Sequence, residues 1–117
     1  MIERGKRGEE AAVKYLQKLG YTIIGRNFNC KLGEIDIIAR RKEYLVFIEV
    51  KLRKNNKFGG AAMAVDRFKQ QKIKKTAALY LQQKGIEAPV RFDVVLITTS
   101  DDRIKNENIE VIEDAFW

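Results

Sequence analysis

The chain of 117 residues contains no histidine and a single cysteine, Cys30. Without histidine it can form neither a Ser-His-Asp triad nor a Cys-His pair, and it has no imidazole to bind zinc or act as a general base. One cysteine excludes an internal disulfide and a cysteine-rich metal site. Any catalysis must therefore use carboxylates, lysines, hydroxyls or a hard metal ion.

Long apolar runs are also missing. The longest, such as residues 44–48, have the length of a strand and are too short to cross a bilayer. The polar N-terminus is not followed by the apolar segment of a signal peptide, and a free thiol without a disulfide is typical of a reducing compartment. We therefore expect a cytoplasmic protein that folds as a single domain over residues 1–117.

Basic residues outnumber acidic ones, 23 to 16, which gives a net charge of +7. The excess lies before residue 100, because residues 100–117 hold two basic and six acidic side chains. A basic body of this kind favours a polyanionic partner, with nucleic acid first and an anionic membrane surface second. Solubility alone explains the charge equally well.

The order of the predicted elements is α-β-β-β-α-β. A first helix follows Gly5 and Gly8, ends at Leu19 and is stopped by Gly20; a second spans 61–84 and is closed by Gly85. The predicted strands are 21–26, 34–39, 44–52 and 90–98, with loops at 27–33 and 53–60 and a short edge strand at 109–112. This order predicts an α/β domain with a mixed sheet.

The third predicted strand, 44–52, combines an apolar centre with charged residues. Residues 45–48 predict a central strand that is buried on both faces. Glu49 and Lys51 then follow on the same face as Phe47. Because buried charges without partners are unfavourable, something must compensate for them.

Asp36 lies on the second predicted strand, across a short polar turn from Glu49. Depending on the turn length it falls opposite or diagonal to Glu49, and both registers put the two carboxylates on one face, within reach of one ion. By the same alternation Glu34 shares the face of Asp36, and Ile35 and Ile37 lie on the other face.

Two neighbouring carboxylates repel each other unless a cation lies between them. Magnesium prefers oxygen ligands and retains several waters, so it meets this need. Lys51 would stabilise negative charge that builds on a phosphate. Asp36, Glu49 and Lys51 are therefore a coherent set for metal-dependent phosphodiester hydrolysis, although Glu-x-Lys can also be a plain ion pair between residues i and i+2.

Glu9 is a further candidate on the first helix. It shares one face with Ala12, Leu16 and Leu19, so it points toward the core, whereas Glu10 faces sideways or outward. An inward carboxylate at this place can be an additional ligand or can support the other ligands.

Basic side chains follow the third strand and cover the second helix. The candidates for nucleic-acid contacts are Arg53, Lys54, Lys57, Lys69 and Lys72. Lys69 also lies on the inward stripe between Val65 and Ile73, where it can direct a charge at the site or simply pack its stem with the ammonium group in water. A solvated helix face is the alternative interpretation of the other cations.

Motifs with a specific order and spacing run through the chain: Arg4-Gly5-x-x-Gly8-Glu9, Gly33-Glu34-Ile35-Asp36, Phe47-Ile48-Glu49-Val50-Lys51, Arg91-Phe92-Asp93-Val94-Val95 and Ala115-Phe116. Together they resemble the YraN-like family of small bacterial proteins. The resemblance extends over nearly the whole chain, from Arg4 to Phe116.

That family looks like a branch of the restriction-endonuclease-like, or PD-(D/E)xK, superfamily, close to the archaeal Holliday-junction resolvases. The resemblance implies a restriction-endonuclease-like core with a mixed central sheet. It assigns the first acid of the superfamily motif to Asp36, the acid-x-lysine to Glu49 and Lys51, and the helix acid of the resolvases to Glu9. Ile35 stands where a proline often precedes the first acid.

We therefore expect a magnesium- or manganese-dependent endonuclease that hydrolyses DNA, with branched or repair intermediates as substrates. Asp36 and Glu49 would hold the metal with the Val50 carbonyl, Lys51 would stabilise the transition state, and Glu9 would assist. Because junction cleavage requires two cuts, a homodimer fits this activity. One alternative is a nucleic-acid-binding module of the same fold without catalysis, and another is an interaction protein whose basic helix binds anionic lipid or an acidic partner.

Overall fold

The computed structural model describes residues 4–53, 65–99 and 108–116. Its elements are α1 (Arg4–Lys18), β1 (Thr22–Cys30), β2 (Gly33–Arg41), β3 (Tyr44–Arg53), α2 (Arg67–Lys84), β4 (Val90–Thr98) and β5 (Ile109–Ile112). The strands form one sheet in the order β1-β2-β3-β4-β5, in which β3 and β4 are parallel and the other neighbours antiparallel. The predicted α/β class, element order and mixed sheet are confirmed. No helix in this described part of the chain is long and apolar enough to span a membrane.

Strand β3 lies at the centre of the sheet, as its apolar run predicts. Residues 45–49 are all buried, and α1 and α2 pack on opposite faces of the sheet. On the α2 face the ring of Phe47 meets Tyr80 edge-on at 5.8 Å and stacks on Phe92 at 5.9 Å between ring centroids. Glu49 therefore ends an apolar run that is covered from both sides.

Helix α1 includes Gly5 and Gly8, which the sequence pattern places before the helix, so this boundary is wrong. At Gly8 the helix lies so near β3 that a Cβ atom would be 2.5 Å from Cδ1 of Leu52. Close packing, not a helix break, thus accounts for glycine here, because a side chain would have to displace the end of Leu52. The predicted stop at Gly20 is confirmed by its φ of 98°. Leu19 is 43% exposed and does not continue the buried stripe.

Strand β1 is longer than predicted, because it runs through the predicted loop 27–33 as far as Cys30. Asn27 takes a φ of 53°, a conformation that asparagine tolerates better than most residues. Beyond it Phe28 pairs with Ile35 of β2 and places its ring 5.1 Å from that of Tyr80. The half-buried ring packs against the core under α2 and holds the strand in register past a position that sequence alone suggests is a loop.

Helix α2 begins later than the predicted start at residue 61. Asp66 caps it, since a carboxylate oxygen accepts a hydrogen bond of 2.8 Å from the N–H of Lys69. Val65 is buried but lies before the helix. The predicted end is confirmed, because Gly85 adopts a left-handed conformation at the C-cap.

The carboxylate of Asp93 on β4 forms an ion pair within the strand and also binds segments near both ends of the chain. The carboxylate of Asp93 is fully buried and accepts two hydrogen bonds of 2.9 Å from the guanidinium of Arg91. It accepts two more, from the Tyr21 hydroxyl at 2.7 Å and the Asp114 N–H at 2.9 Å. Because four donor atoms already satisfy this charge, we interpret the pair as structural.

Candidate functional site

Asp36 and Glu49 meet where the hydrogen-bonded pairing of β2 with β3 ends. The last pair on this side is Ile37 with Ile48, so the next residue of each strand brings the two carboxylates together. Oδ2 of Asp36 accepts a hydrogen bond of 2.8 Å from the N–H of Val50. This hydrogen bond holds the Asp36 side chain beside β3, where the predicted hairpin places it.

The apolar residues on either side of Asp36 depart from the predicted alternation. Ile37 packs in the core under α1, whereas Ile35 packs in the core under α2, so the two do not share a face. Before Asp36, strand β2 pairs with β1 alone, as in the pair of Ile35 with Phe28. Because β2 is no longer paired with β3 at this point, it can turn away from β3. Strict alternation of side chains along the strand does not predict the resulting change of face between Ile35 and Ile37.

An open cavity of about 230 Å³ lies between these strands and the start of α2. The residues that line it are Gly33, Glu34, Asp36, Glu49, Lys69, Lys72 and Ile73. Nζ of Lys69 lies 2.9 Å from Oε1 of Glu49. Acidic side chains from the sheet therefore face two lysines from the helix.

Burial and repulsion both act on the charge of Glu49. The side chain is only 7% exposed, and desolvation, followed by the charge of Asp36, raises its pKa from 4.5 to about 7. The ion pair with Lys69 opposes this shift but does not cancel it. A further cation beside Asp36 and Glu49 would relieve the repulsion.

Glu9 brings a third carboxylate toward Asp36 from α1. Its Oε1 atom is buried and has no hydrogen-bond partner among the residues that the structure describes. Desolvation, and then the negative charge of Asp36, raise the pKa of Glu9. A buried carboxylate oxygen without a donor is unfavourable unless a proton, a water molecule or a cation satisfies it.

These carboxylates fit a metal ion that retains most of its water. Within residues 4–53, 65–99 and 108–116 no group of three or more acidic or cysteine side chains has the arrangement of a complete metal site. Magnesium, however, is commonly held by one or two carboxylates, with water in the remaining positions. The Asp36 and Glu49 pair supplies that number of ligands.

The predicted basic residues divide into two groups in the structure. Lys69 and Lys72 line the cavity, whereas Lys51 is exposed on β3 and is not among the lining residues. Arg53 donates a hydrogen bond of 3.1 Å to the Thr98 hydroxyl across the parallel strands. Lys54 and Lys57 lie outside the described residues.

Sequence reasoning missed the direct contact of Lys69 with Glu49 and the place of Gly33 and Glu34 in the cavity wall. The sequence did place Lys69 on the inward stripe of α2. That position fits two interpretations: a charge directed at the site, or a packed stem with the ammonium group in water. The contact with Glu49 decides between these interpretations. Although partial burial lowers it, the pKa of Lys69 is raised overall by Glu49, so its side chain stays cationic.

We predict that the pH dependence of stability changes when glutamine replaces Glu49. The pKa of Glu49 is higher in the folded chain, about 7 against 4.5, so the folded state holds the extra proton. Its stabilising effect is complete below pH 4.5 and is lost as the pH rises through 7. In EDTA, Glu49→Gln should therefore gain about 3 kcal/mol relative to wild type between pH 4.5 and 8.

Urea unfolding of both proteins across this pH range measures the gain. Glu43→Gln is the matched control, because Glu43 is exposed in the turn between β2 and β3. The control should follow the wild-type profile. Parallel profiles for wild type and Glu49→Gln would contradict the prediction.

Comparison with known proteins identifies relatives along nearly the whole chain. The model of the family described as "Uncharacterised protein family UPF0102" matches residues 8–97. A UPF0102 protein of Geotalea daltonii is 50% identical over 113 residues, which cover 96% of this chain and 87% of the relative. UPF0102 proteins of Hahella chejuensis and Thermodesulfovibrio yellowstonii are each 46% identical over 116 residues, covering 98% and 99% of this chain and 90% and 97% of the relatives.

Proposed function

The chain belongs to the uncharacterised protein family UPF0102, and we propose that it is a metal-dependent nuclease that hydrolyses phosphodiester bonds in DNA. The membership confirms the family resemblance of its motifs. A restriction-endonuclease-like fold, related to that of the resolvases, is part of the proposal. The observation that carries it is that Asp36 and Glu49 meet where the pairing of β2 with β3 ends, in a cavity that two lysines also line.

Asp36 and Glu49 would hold Mg²⁺ or Mn²⁺, together with the carbonyl of Val50. The hydrogen bond from Val50 N–H orients the Asp36 carboxylate, and the buried Oε1 of Glu9 adds negative potential from α1. The bound ion would neutralise charge on the phosphate and lower the pKa of a water molecule. Preorganised carboxylates of this kind need little rearrangement before they bind.

Two lysines are candidates for stabilising the negative charge that develops on the phosphate. The acid-x-lysine motif assigns this role to Lys51. The cavity favours Lys69, because its ammonium group already touches Glu49 and faces the space that a phosphate would enter. Lys72 lines the same wall and would contact the neighbouring phosphate of the strand.

A panel of labelled DNA substrates tests the proposal directly. Single-stranded, duplex, flap and four-way-junction DNA are incubated with the protein in Mg²⁺, Mn²⁺ or EDTA. We expect cleavage in either metal and none in EDTA, with branched substrates preferred and a homodimer acting on junctions. Cleavage that persists in EDTA, or no cleavage of any substrate, would refute the proposed metal-dependent nuclease activity.

The ion pair of Lys69 with Glu49 favours one second candidate, a DNA-binding module without catalysis. A lysine that neutralises Glu49 can make a metal ion unnecessary. Calorimetry with Mn²⁺ separates the two functions: a nuclease should bind the ion, and Asp36→Asn should bind it more weakly. A binding module should give no heat with either protein while it retains salt-sensitive DNA binding.

A further inference from the structure

Phe68 is a large apolar side chain that the fold leaves in water. It is 72% exposed, the highest value among the exposed large hydrophobic residues of the described chain. It belongs to the first turn of α2 and directly precedes Lys69, whose ammonium group contacts Glu49. Because core packing does not account for this ring, its position beside the cavity suggests a ligand.

The surroundings of the ring are cationic and continuous with the cavity. Nζ of Lys72 lies 4.8 Å from the centroid of the Phe68 ring, and Lys72 also lines the cavity. Leu32 is 46% exposed in the turn between β1 and β2. Its neighbour Gly33 lies against α2, since a Cβ atom there would be 3.5 Å from Cβ of Lys72. An exposed aromatic ring and an exposed leucine thus lie next in sequence to residues that line the cavity, and the ring shares Lys72 with it.

We propose that Phe68 stacks on an unpaired nucleobase of the strand whose phosphates lie against Lys69 and Lys72. This inference rests on the proposed function and names its substrate class, nucleic acid with unpaired nucleotides beside the bond to be cut. In a duplex each base is covered by its neighbours, whereas an unpaired base has a free π-face. An aromatic ring among cations is the combination that single-stranded nucleic acid requires, because it offers both a stacking face and phosphate contacts.

The alternative occupants of this surface are a second copy of the chain and an apolar protein segment. The charge of the surface argues against both. Lys72 places its ammonium group over the ring, Lys69 is the next residue of α2, and the chain as a whole carries a net charge of +7. Complementarity of charge therefore favours a polyanion.

Fluorescence anisotropy in EDTA tests the stacking without cleavage. The probes are a labelled single-stranded 20-mer and the blunt duplex of the same sequence, titrated with wild type, Phe68→Ala, Phe68→Tyr and Leu19→Ala. Phe68→Ala should weaken single-strand binding about 5- to 150-fold, the range expected for the loss of one stacked base, and should change duplex binding less than about twofold. Phe68→Tyr retains a ring and should bind like wild type.

Leu19→Ala is the matched control, because Leu19 is an exposed apolar residue that follows the C-terminal end of α1. It should bind both probes like wild type. Unchanged single-strand binding by Phe68→Ala, or an equal loss of binding to both probes, would refute the proposed stacking of Phe68. Neither result would contradict the proposed nuclease activity. If wild type binds neither probe, the stacking is overturned, and the cleavage assay in Mg²⁺ or Mn²⁺ decides the nuclease separately. If sedimentation shows that wild type is a dimer and Phe68→Ala is a monomer, the ring belongs to a subunit contact and the inference is wrong.

Discussion

Replacing Glu49 with glutamine is expected to reduce metal-dependent DNA cleavage about a thousandfold or more, which corresponds to about 4 kcal/mol of transition-state stabilisation. Glutamine has nearly the same shape but lacks the charge that binds the metal ion. Glu49 is 7% exposed and ends the buried run of β3, so the glutamine would stay beside Asp36 without the charge. The loss should therefore be nearly complete.

The same substitution should leave DNA binding intact or make it tighter. Glu49→Gln removes a negative charge from a cavity that a phosphate would enter, and it releases Lys69 from its 2.9 Å ion pair. Initial cleavage rates in Mg²⁺ and anisotropy in EDTA measure the two effects separately. Calorimetry with Mn²⁺ should show weaker metal binding by the variant.

Glu43→Gln controls for the loss of one negative charge at an exposed place, and its cleavage rate should equal that of wild type. A protein preparation contaminated by another nuclease would cleave equally with Glu49→Gln. Undiminished cleavage by Glu49→Gln that co-elutes with the protein in gel filtration would refute the assignment of Glu49.

Replacing Asp93 with asparagine is expected to destabilise the fold by about 3–5 kcal/mol, a large fraction of the roughly 5–15 kcal/mol that hold a domain of this size together. The substitution removes the buried negative charge but leaves the guanidinium of Arg91, whose side chain is only 12% exposed. It also weakens the bonds from Tyr21 and Asp114, which tie segments near the two ends of the chain to β4.

Urea unfolding followed by circular dichroism measures this loss. The matched control is Glu10→Gln, because Glu10 forms a 2.8 Å ion pair with Arg26 that is largely exposed. Water screens that pair, so its removal should change stability by less than about 1 kcal/mol. If Asp93→Asn also changes stability by less than 1 kcal/mol, the view of this pair as structural is wrong.

Local pattern alone determined the class of the fold and the pair at the centre of the site. The apolar run at 45–48 identified β3 as the central strand, and Gly20 and Gly85 marked the helix ends, because period and backbone freedom depend on near neighbours in the chain. A short hairpin with a period of two also brings Asp36 to Glu49 whichever register it takes. The absence of histidine and the single cysteine restricted any catalysis to carboxylates, lysines, hydroxyls or a hard metal ion.

Tertiary structure alone decided which cation serves the carboxylates. Lys51 is two residues from Glu49, yet Lys69, which is 20 residues away, forms the ion pair, because α2 packs across the face of the sheet that carries Glu49. The glycine within α1, the extension of β1 past Asn27 and the division of Ile35 from Ile37 have the same origin. Each depends on which residues of a distant element pack against the position, and spacing along the sequence does not say which elements meet in the fold.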